Sequence, residues 1–428
     1  MRTSGSQAFQ FFQIARYAGL LLASILLSKS GMDTGAIGHY ESFVLVSGTL
    51  SFFWVNGLLN AFLTLFHKVK NTAASIMQTA VFLAGTSLLL ITLLSIFRVP
   101  VSAFFHFEES GNMYLLFLLF FLVNNLAFLT EYILLARERT KALIALGIFH
   151  LLVQTTLIAL PAYTSGDYTL VLKGLTAFAL LKCCITLFLV LQTKNKKLDP
   201  SVMRSHLRLA WPLIVSFFLG GMSIYVDGII VNHFYDKGIF ATYQYGAREF
   251  PISLLLANAF SASVALKISA DAKDLDYVRT GSLRMMHRLF PICMLLLIIS
   301  PRLYPLVFNP AFADSYLFFN IYILLLIPRL IFPHSILTGM GNTAPVMYAS
   351  MLEFMLNIVC SILFMQYFGL QGIAYGTVVS FSMNKILLSL YLRRKGMHIS
   401  SFIPVRAFLS YSFALILVFI VFTYFYHA

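Results

Sequence analysis

The sequence predicts an all-α polytopic membrane protein with 12–14 transmembrane helices. Of its 428 residues, 59% are hydrophobic and only 11% are charged, whereas a soluble domain usually carries about a quarter charged residues. Apolar runs of about 20 residues, enough to cross a bilayer once, recur between short polar breaks along the whole chain. These runs are too long for the roughly 10-residue alternating strands of an outer-membrane barrel, so we expect helices.

Thirteen segments have the length and apolar character of a membrane-spanning helix. They are 8–28, 40–66, 73–97, 113–136, 142–162, 168–192, 207–232, 241–266, 286–307, 314–338, 344–366, 370–392 and 403–425. The first run lacks the small-residue cleavage site of a removable signal peptide, so we expect it to remain in the protein. The polar stretch 193–206 divides the chain into an N-lobe of six helices (1–192) and a C-lobe of six (207–395), followed by an extra C-terminal helix within 396–428.

The lysines and arginines between these segments and near their ends are sorted by side of the membrane. Twenty fall on the side of the N-terminus and four on the opposite side, which by the positive-inside rule predicts a cytoplasmic N-terminus and a cytoplasmic linker at 193–206. The same sorting explains the net charge of +14 without nucleic acid, because no long basic tract is present. Four cysteines within apolar runs are predicted to be free, buried thiols, namely Cys183, Cys184, Cys293 and Cys360.

Two short echoes indicate an internal repeat. The pattern from Asp33 to Tyr40 recurs from Asp236 to Tyr243, and the stretch 58–62 is echoed by 256–260, each in the corresponding helix of the other half. An even number of crossings in each lobe predicts parallel repeats related by an axis along the membrane normal. We therefore expect two six-helix lobes around a central cavity that serves as the substrate path.

Charged residues inside the predicted helices are the candidate functional residues, because each costs roughly 2.5–3.5 kcal/mol near the bilayer centre. Ten are candidates: Arg16, Glu131, Lys173, Lys182, Asp227, Arg248, Glu249, Arg329, Glu353 and Lys385. Lys173 and Glu131 lie near helix ends and are expected to reach the headgroups along their stems. The remaining cations come from five different helices and predict a cationic cavity that binds a phosphate or pyrophosphate. These substrate-binding candidates are Arg16, Lys182, Arg248, Arg329 and Lys385.

Polar neighbours at helical spacing support these positions. Gln10 and Gln13 share a face with Arg16, Tyr245 precedes Arg248 by three residues, and Asn357 lies one turn from Glu353. Adjacent residues on a helix point about 100° apart, so Arg248 and Glu249 are expected to need separate partners. The acids Asp227, Glu249 and Glu353 are candidates for coupling to an ion. The alternative is that each charge is only neutralised by a neighbour inside the bundle.

Several common catalytic and nucleotide-binding motifs are missing from the sequence. We find no Walker A loop, no HExxH, no GxSxG and no paired cysteine or histidine cluster. The protein is therefore expected to be no enzyme and to need no cofactor or metal. Four prolines could mark kinks: Pro212, Pro251, Pro328 and Pro333.

Ordered motifs between residues 210 and 395 resemble a known family of exporters. They are Trp211–Ile214, Asp227–Ile230, Gly238–Tyr243, Ala247–Arg248, Leu337–Thr343, Phe368–Ala374 and Arg393–Lys395. In order and spacing they resemble the polysaccharide-transporter branch of the multidrug/oligosaccharidyl-lipid/polysaccharide (MOP) exporter superfamily, which includes the O-antigen flippases.

The resemblance implies two six-helix lobes around a central cationic cavity, with alternating access. It implies that an undecaprenyl-diphosphate-linked oligosaccharide is flipped across the bacterial cytoplasmic membrane, driven by H⁺ or Na⁺. Arg16 is similar in placement to a first-helix arginine of lipid II flippases, and Asp227 matches the aspartate of the seventh-helix pattern. Membrane lipids and the polymerase or glycosyltransferase machinery of polysaccharide synthesis are the further partners that it implies.

Three other functions agree less well with the sequence. A MATE-type multidrug or cation antiporter typically relies on an acid in its first helix, whereas this helix carries Arg16 and no acid. A membrane polysaccharide polymerase would need a sizeable outward loop, and the longest here has about 15 residues. A receptor or scaffold would leave the charges inside many helices as an unexplained cost.

Overall fold

The computed structural model describes residues 5–66, 68–69, 71–106, 111–193, 198–270 and 275–425. The described residues form helices and turns without a β-strand. Part of the predicted linker, with Lys194, Lys196 and Lys197, lies outside them. The helices pack into two compact units, which comprise Met1–Gly221 with Asn232–Ala241 (unit 1) and Met222–Val231 with Thr242–Ala428 (unit 2).

Unit 1 contains the helices of the first half of the chain. They are α1 (Gly5–Lys29), α2 (Thr34–Phe66), α3 (Thr72–Ile96), α4 (Arg98–Phe105), α5 (Gly111–Ala127), α6 (Leu129–Ala136), α7 (Thr140–Phe149), a π-helical turn (His150–Gln154), α8 (Thr155–Ser165), α9 (Tyr168–Leu191) and α10 (Pro200–Gly221). Small residues let these helices approach closely, as membrane helices require. At Gly57, where α2 packs on α10, an added Cβ would lie 2.3 Å from Cγ1 of Ile214.

Two helices contribute residues to both units, α11 (Ser223–Phe234) and α12 (Lys237–Gly246). The remaining helices belong to unit 2. They are α13 (Pro251–Ala270), α14 (Leu275–Val307), a 3-10 turn (Pro310–Phe312), α15 (Ser315–Ile323), α16 (Leu326–Arg329), α17 (Pro333–Gly339), α18 (Ala344–Phe368), α19 (Leu370–Arg394), α20 (Ile399–Phe402), α21 (Val405–Ile420) and a π-helical turn (Val421–Phe425). Here α18 and α19 form a tight hairpin, in which a Cβ at Gly376 would lie 2.5 Å from the backbone nitrogen of Ser361.

The predicted thirteen segments correspond to thirteen candidate membrane spans among the described residues. Eleven are single stretches that are long and apolar enough to cross a bilayer, and two more are broken helix pairs, α10 with α11 and α15–α16 with α17. The second pair bends by 44° between Arg329 and Pro333. Pro328 and Pro333 therefore flank a real break, as predicted, whereas Pro212 lies inside the continuous helix α10.

The continuous helix predicted over 241–266 is wrong. Helix α12 ends at Gly246 and α13 begins at Pro251, so Arg248 and Glu249 lie in a non-helical connection. Proline lacks a backbone N–H and disfavours helical geometry in the residue before it. Pro251 is therefore better placed at the first position of a helix than inside one. The predicted angle of about 100° between the two side chains does not apply in that connection.

The four cysteines are free, as predicted, but they are not all buried. Cys183 and Cys293 are buried, while Cys184 is exposed and Cys360 is half-buried. An apolar run predicts that a helix lies in the membrane, but it does not predict which face of that helix packs on a neighbouring helix.

Candidate functional site

Unit 1 brings two of the predicted cations to one buried carboxylate. Lys182 Nζ on α9 lies 2.9 Å from Oε2 of Glu131 and 3.2 Å from its Oε1, while Arg16 on α1 lies 4.0 Å from Oε1. Glu131 is fully buried and Lys182 is 3% exposed, whereas the side chain of Arg16 keeps 32% of its surface exposed. The expectation that Glu131 reaches the headgroups is therefore wrong, and its partner is Lys182.

Aromatic rings hold both cations in place. The Arg16 guanidinium lies 5.9 Å from the ring centres of Phe12 and Phe128, and Lys182 Nζ lies 5.8 Å and 5.1 Å from the same two rings. These distances are within the range of cation–π attraction. Two cations share one carboxylate, so this group of three charged side chains carries one positive charge in excess. Arg16 is the more exposed and more distant of the two cations.

A histidine that sequence reasoning missed lies beside this group. His150 is 5% exposed, packs edge-on against Phe12 with ring centres 5.5 Å apart, and shares a 2.9 Å hydrogen bond with Gln154. His150 and Gln154 are the first and last residues of the π-helical turn between α7 and α8. Such turns often occur at functional sites, but no sequence motif predicted this one.

Along α1, Gln10 is exposed and Gln13 is half-buried.

Unit 2 brings together two more cations with two acids. Arg329 forms an ion pair with Glu249, and the side chains keep 16% and 23% of their surface exposed. The Arg329 guanidinium lies 4.8 Å and Lys385 Nζ 5.0 Å from the ring centre of Phe381. Lys385 also interacts electrostatically with both Glu353 and Glu249. This cluster holds two cations and two carboxylates, so its charges balance when all four side chains are ionised.

Arg248 has its own contacts in unit 2. Its Nε donates to the carbonyl oxygen of Gln244 at 3.0 Å, and its guanidinium lies 5.4 Å from the ring centre of Tyr245. Tyr245 was predicted to support Arg248, and the structure places its ring within the range of cation–π attraction. The ring itself is buried against Phe312, with ring centres 4.6 Å apart.

A second group of polar residues in unit 2 surrounds Asp227. This carboxylate is 3% exposed, and its Oδ2 accepts hydrogen bonds from the hydroxyls of Tyr243 (3.3 Å), Tyr322 and Thr377. Asn357 donates to Thr377 at 2.7 Å. The supporting residue Asn357 therefore belongs to the Asp227 group through Thr377. Sequence reasoning missed the three hydroxyl donors.

Asp227 differs from Glu131 and Glu249 because no basic side chain pairs with it among the residues that the structure describes. Its Oδ1 is buried without a hydrogen-bond partner, and so is Oδ1 of Asn357. A buried carboxylate without a counter-charge is costly unless it takes up a proton or a cation. Within the described ranges, no group of three histidine, cysteine or acidic side chains has the geometry to hold a metal ion.

Two of the five predicted cations thus lie in unit 1 and three in unit 2. Charged side chains inside several membrane spans mark these positions as candidate functional residues. A single cavity lined by all five cations stays a prediction.

Solved structures of a lipid II flippase and of MATE transporters share the fold of this chain. The lipid II flippase MurJ in its inward closed conformation matches with a TM-score of 0.71 and 17% identity, over 97% of this chain and 92% of that one. An inward-facing multidrug resistance MATE family transporter of the MOP superfamily matches with a TM-score of 0.59 and 13% identity, over 94% of this chain and 96% of that one. A mutant of the Vibrio cholerae MATE transporter VcmN matches with a TM-score of 0.56 and 14% identity, over 92% of this chain and 98% of that one.

No family model matches the sequence, and no curated protein matches it. At these identities the structural likeness establishes the fold. The chain is an all-α, multi-pass membrane protein with the fold of the solved MurJ and MATE structures, which confirms the predicted fold class and agrees in fold with the resemblance to the MOP superfamily.

Proposed function

We propose that the chain is a flippase that moves an undecaprenyl-diphosphate-linked oligosaccharide, such as an O-antigen or another surface-polysaccharide unit, across the bacterial cytoplasmic membrane. Translocation proceeds by alternating access, with the N-terminus in the cytoplasm and with H⁺ or Na⁺ as the coupling ion. The fold shared with a lipid II flippase and with MATE transporters supports a transport function. The choice of cargo depends on the charges within unit 1.

The observation that carries the proposal is the excess positive charge at Arg16. Glu131 is held closest by Lys182, while Arg16 lies 4.0 Å from it and remains partly exposed. A guanidinium binds phosphate oxygens through two parallel hydrogen bonds, a geometry that a lysine cannot reproduce. Arg16 is therefore the first contact for the diphosphate of the carrier lipid. In unit 2, Arg329 and Lys385 face two acids and supply no excess charge.

The coupling ion is assigned to Asp227. Oδ1 of Asp227 and Oδ1 of Asn357 are buried acceptors without donors, and carboxylate and amide oxygens are ligands that hard cations prefer. A proton on Asp227 would remove the same cost by neutralising the carboxylate. Glu249 and Glu353 are weaker candidates because Arg329 and Lys385 already compensate them.

Binding of the carrier lipid by the purified chain tests the cargo. Undecaprenyl diphosphate should bind at least tenfold more tightly than undecaprenol, which lacks the anionic group. Arg16→Gln should remove roughly tenfold or more of that affinity, because a hydrogen bond to a charged group contributes about 1.5–3 kcal/mol. Lys173→Gln is the matched control, since Lys173 is an exposed cation on α9 and should leave the affinity unchanged.

The alternative function, a MATE-type cation antiporter, predicts the opposite preference. A lipophilic cation such as tetraphenylphosphonium would then bind more tightly than undecaprenyl diphosphate, and Arg16→Gln would strengthen its binding by removing a positive charge. Equal affinity for undecaprenyl diphosphate and undecaprenol would also overturn the proposed cargo.

A further inference from the structure

Unit 2 has an apolar groove between α18 and α19 that belongs to neither charged cluster. Its volume is about 490 Å³. It is lined by Asn342, Ala344, Pro345, Tyr348, Ala349, Leu352, Leu387, Leu388 and Tyr391. Ala349 and Leu388 are buried and form the floor, while Tyr348 and Leu352 are 66% and 42% exposed and form a wall. The small side chain of Ala349 helps to leave a channel that is open along the surface of the hairpin.

One end of this groove is polar and positively charged. Asn342 donates to the hydroxyl of Tyr391 at 3.2 Å, and Lys395 Nζ lies 5.8 Å from the ring centre of Tyr391. Arg393 and Arg394 are exposed in the last turn of the same helix. A cation and two polar side chains thus lie at the mouth, and the walls beyond it are aliphatic and aromatic.

We propose that this groove binds an acyl chain of an anionic phospholipid, with the lipid phosphate held by Lys395 and Arg394. The apolar channel matches a hydrocarbon chain, and the basic mouth matches the charge of the headgroup. The basic stretch 393–395 lies on the side of the chain that the charge distribution predicts to be cytoplasmic, and that leaflet is where anionic lipids attract basic segments. The inference is independent of the proposed cargo, because it uses residues in and next to α18 and α19 that belong to neither charged cluster.

A tryptophan placed in the groove provides a direct reporter. The chain has two tryptophans, Trp54 and Trp211, and both lie in unit 1. Tyr348→Trp adds a third on the exposed wall of the groove, and the signal of the parent chain is subtracted. Leu363→Trp is the matched control, because Leu363 is 48% exposed on the same helix and does not line the groove.

Quenching by brominated lipids is then measured in mixed bilayers for each variant. Brominated phosphatidylglycerol should quench Tyr348→Trp at a mole fraction about fivefold lower than brominated phosphatidylcholine, which corresponds to about 1 kcal/mol for one basic residue near the surface. Leu363→Trp should be quenched equally by both lipids. Adding Lys395→Ser to Tyr348→Trp should remove most of the preference.

Three results would overturn the proposal. Equal quenching of Tyr348→Trp by the anionic and zwitterionic lipids would show that the groove has no preference for a charged headgroup. An unchanged preference after Lys395→Ser would remove the assigned phosphate contact. Undecaprenyl phosphate that displaces phosphatidylglycerol at equimolar amounts would assign the groove to the carrier lipid. Phosphatidylglycerol binding can succeed even if Arg16→Gln leaves cargo affinity unchanged, so the two proposals fail independently.

Discussion

Replacing Glu131 by glutamine removes the carboxylate that Lys182 and Arg16 share in unit 1. The glutamine keeps the size of the side chain and one acceptor oxygen, so the variant mainly tests the charge. Glu131 is fully buried and Lys182 nearly so. The substitution therefore leaves one buried and one half-buried cation around Phe12 and Phe128 with no carboxylate to offset them.

The expected loss of stability follows from the two distances. Two unit charges 4 Å apart interact by about 4 kcal/mol at an effective dielectric constant of about 20, and the pair of Lys182 with Glu131 is closer, at 2.9 Å. Removing one partner of a buried pair costs roughly 3–5 kcal/mol after solvation is included. For a unit of roughly 150–250 residues each kcal/mol lowers Tm by about 2–4 °C, so Glu131→Gln should lower Tm by roughly 6–20 °C.

Thermal unfolding in detergent with a thiol-reactive dye measures this loss in unit 1. Cys183 is buried next to Lys182 on α9, and a background in which the other cysteines are serine reports on that helix alone. The double variant Glu131→Gln with Lys182→Met should recover at least half of the lost Tm, because no buried lysine is left unpaired. Glu138→Gln, which changes an exposed acid, should shift Tm by no more than about 2 °C. A Glu131→Gln variant as stable as the parent, or a double variant as unstable as the single one, would refute the reasoning.

Three further predictions concern Asp227, Lys237 and Asp167. Asp227→Asn should abolish the dependence of transport on an imposed H⁺ or Na⁺ gradient in vesicles, whereas Glu353→Gln should preserve it; the reverse pattern would move the coupling site. Burial lowers the pKa of Lys237 to about 8 from 10.5, so the unfolded chain binds more protons between these values, and stability should rise with pH over that interval. Lys237→Met should flatten this rise in a series of Tm values, and an unchanged slope would contradict it. The hydrogen bonds from Thr169 lower the pKa of Asp167, the N-cap of α9, so its contribution should be present at neutral pH and disappear as the pH falls through that lowered value. Asp167→Ala should therefore destabilise the protein by about 1 kcal/mol at pH 7 and by nothing once the carboxyl is protonated, as compared by thermal unfolding at the two pH values.

The fold was predictable because hydropathy over about 20 residues records each bilayer crossing. The predicted segments coincide with the eleven single stretches and the two broken helix pairs, except that the span predicted at 241–266 begins only at Pro251. Hydropathy did not locate the breaks inside spans, since Arg248 and Glu249 add only two polar residues to a long apolar stretch. The turn at 247–250 depends on the backbone preference that Pro251 imposes, which a window average ignores.

The sites were less predictable because their partners are far apart in sequence. Glu131 pairs with a lysine 51 residues away. The hydroxyls on Asp227 come from residues 16, 95 and 150 positions away. The cost of burying charge identified Lys182 and Asp227 as special, but it could not say which had a counter-charge. Only the packing of the helices shows that the charge of Lys182 is compensated by Glu131, whereas Asp227 has no basic partner among the described residues.

Translocation of a fluorescent lipid-diphosphate oligosaccharide in reconstituted vesicles tests the proposed flippase activity most directly. Cargo that reaches the inner leaflet is protected from a membrane-impermeant reductant, so the protected fraction measures flipping. The parent chain and Lys173→Gln should protect the cargo when an H⁺ or Na⁺ gradient is imposed, while Arg16→Gln should not. Protection no greater than in protein-free vesicles, or equal protection by the parent and Arg16→Gln, would contradict the role of Arg16 in carrying an anionic lipid across the membrane.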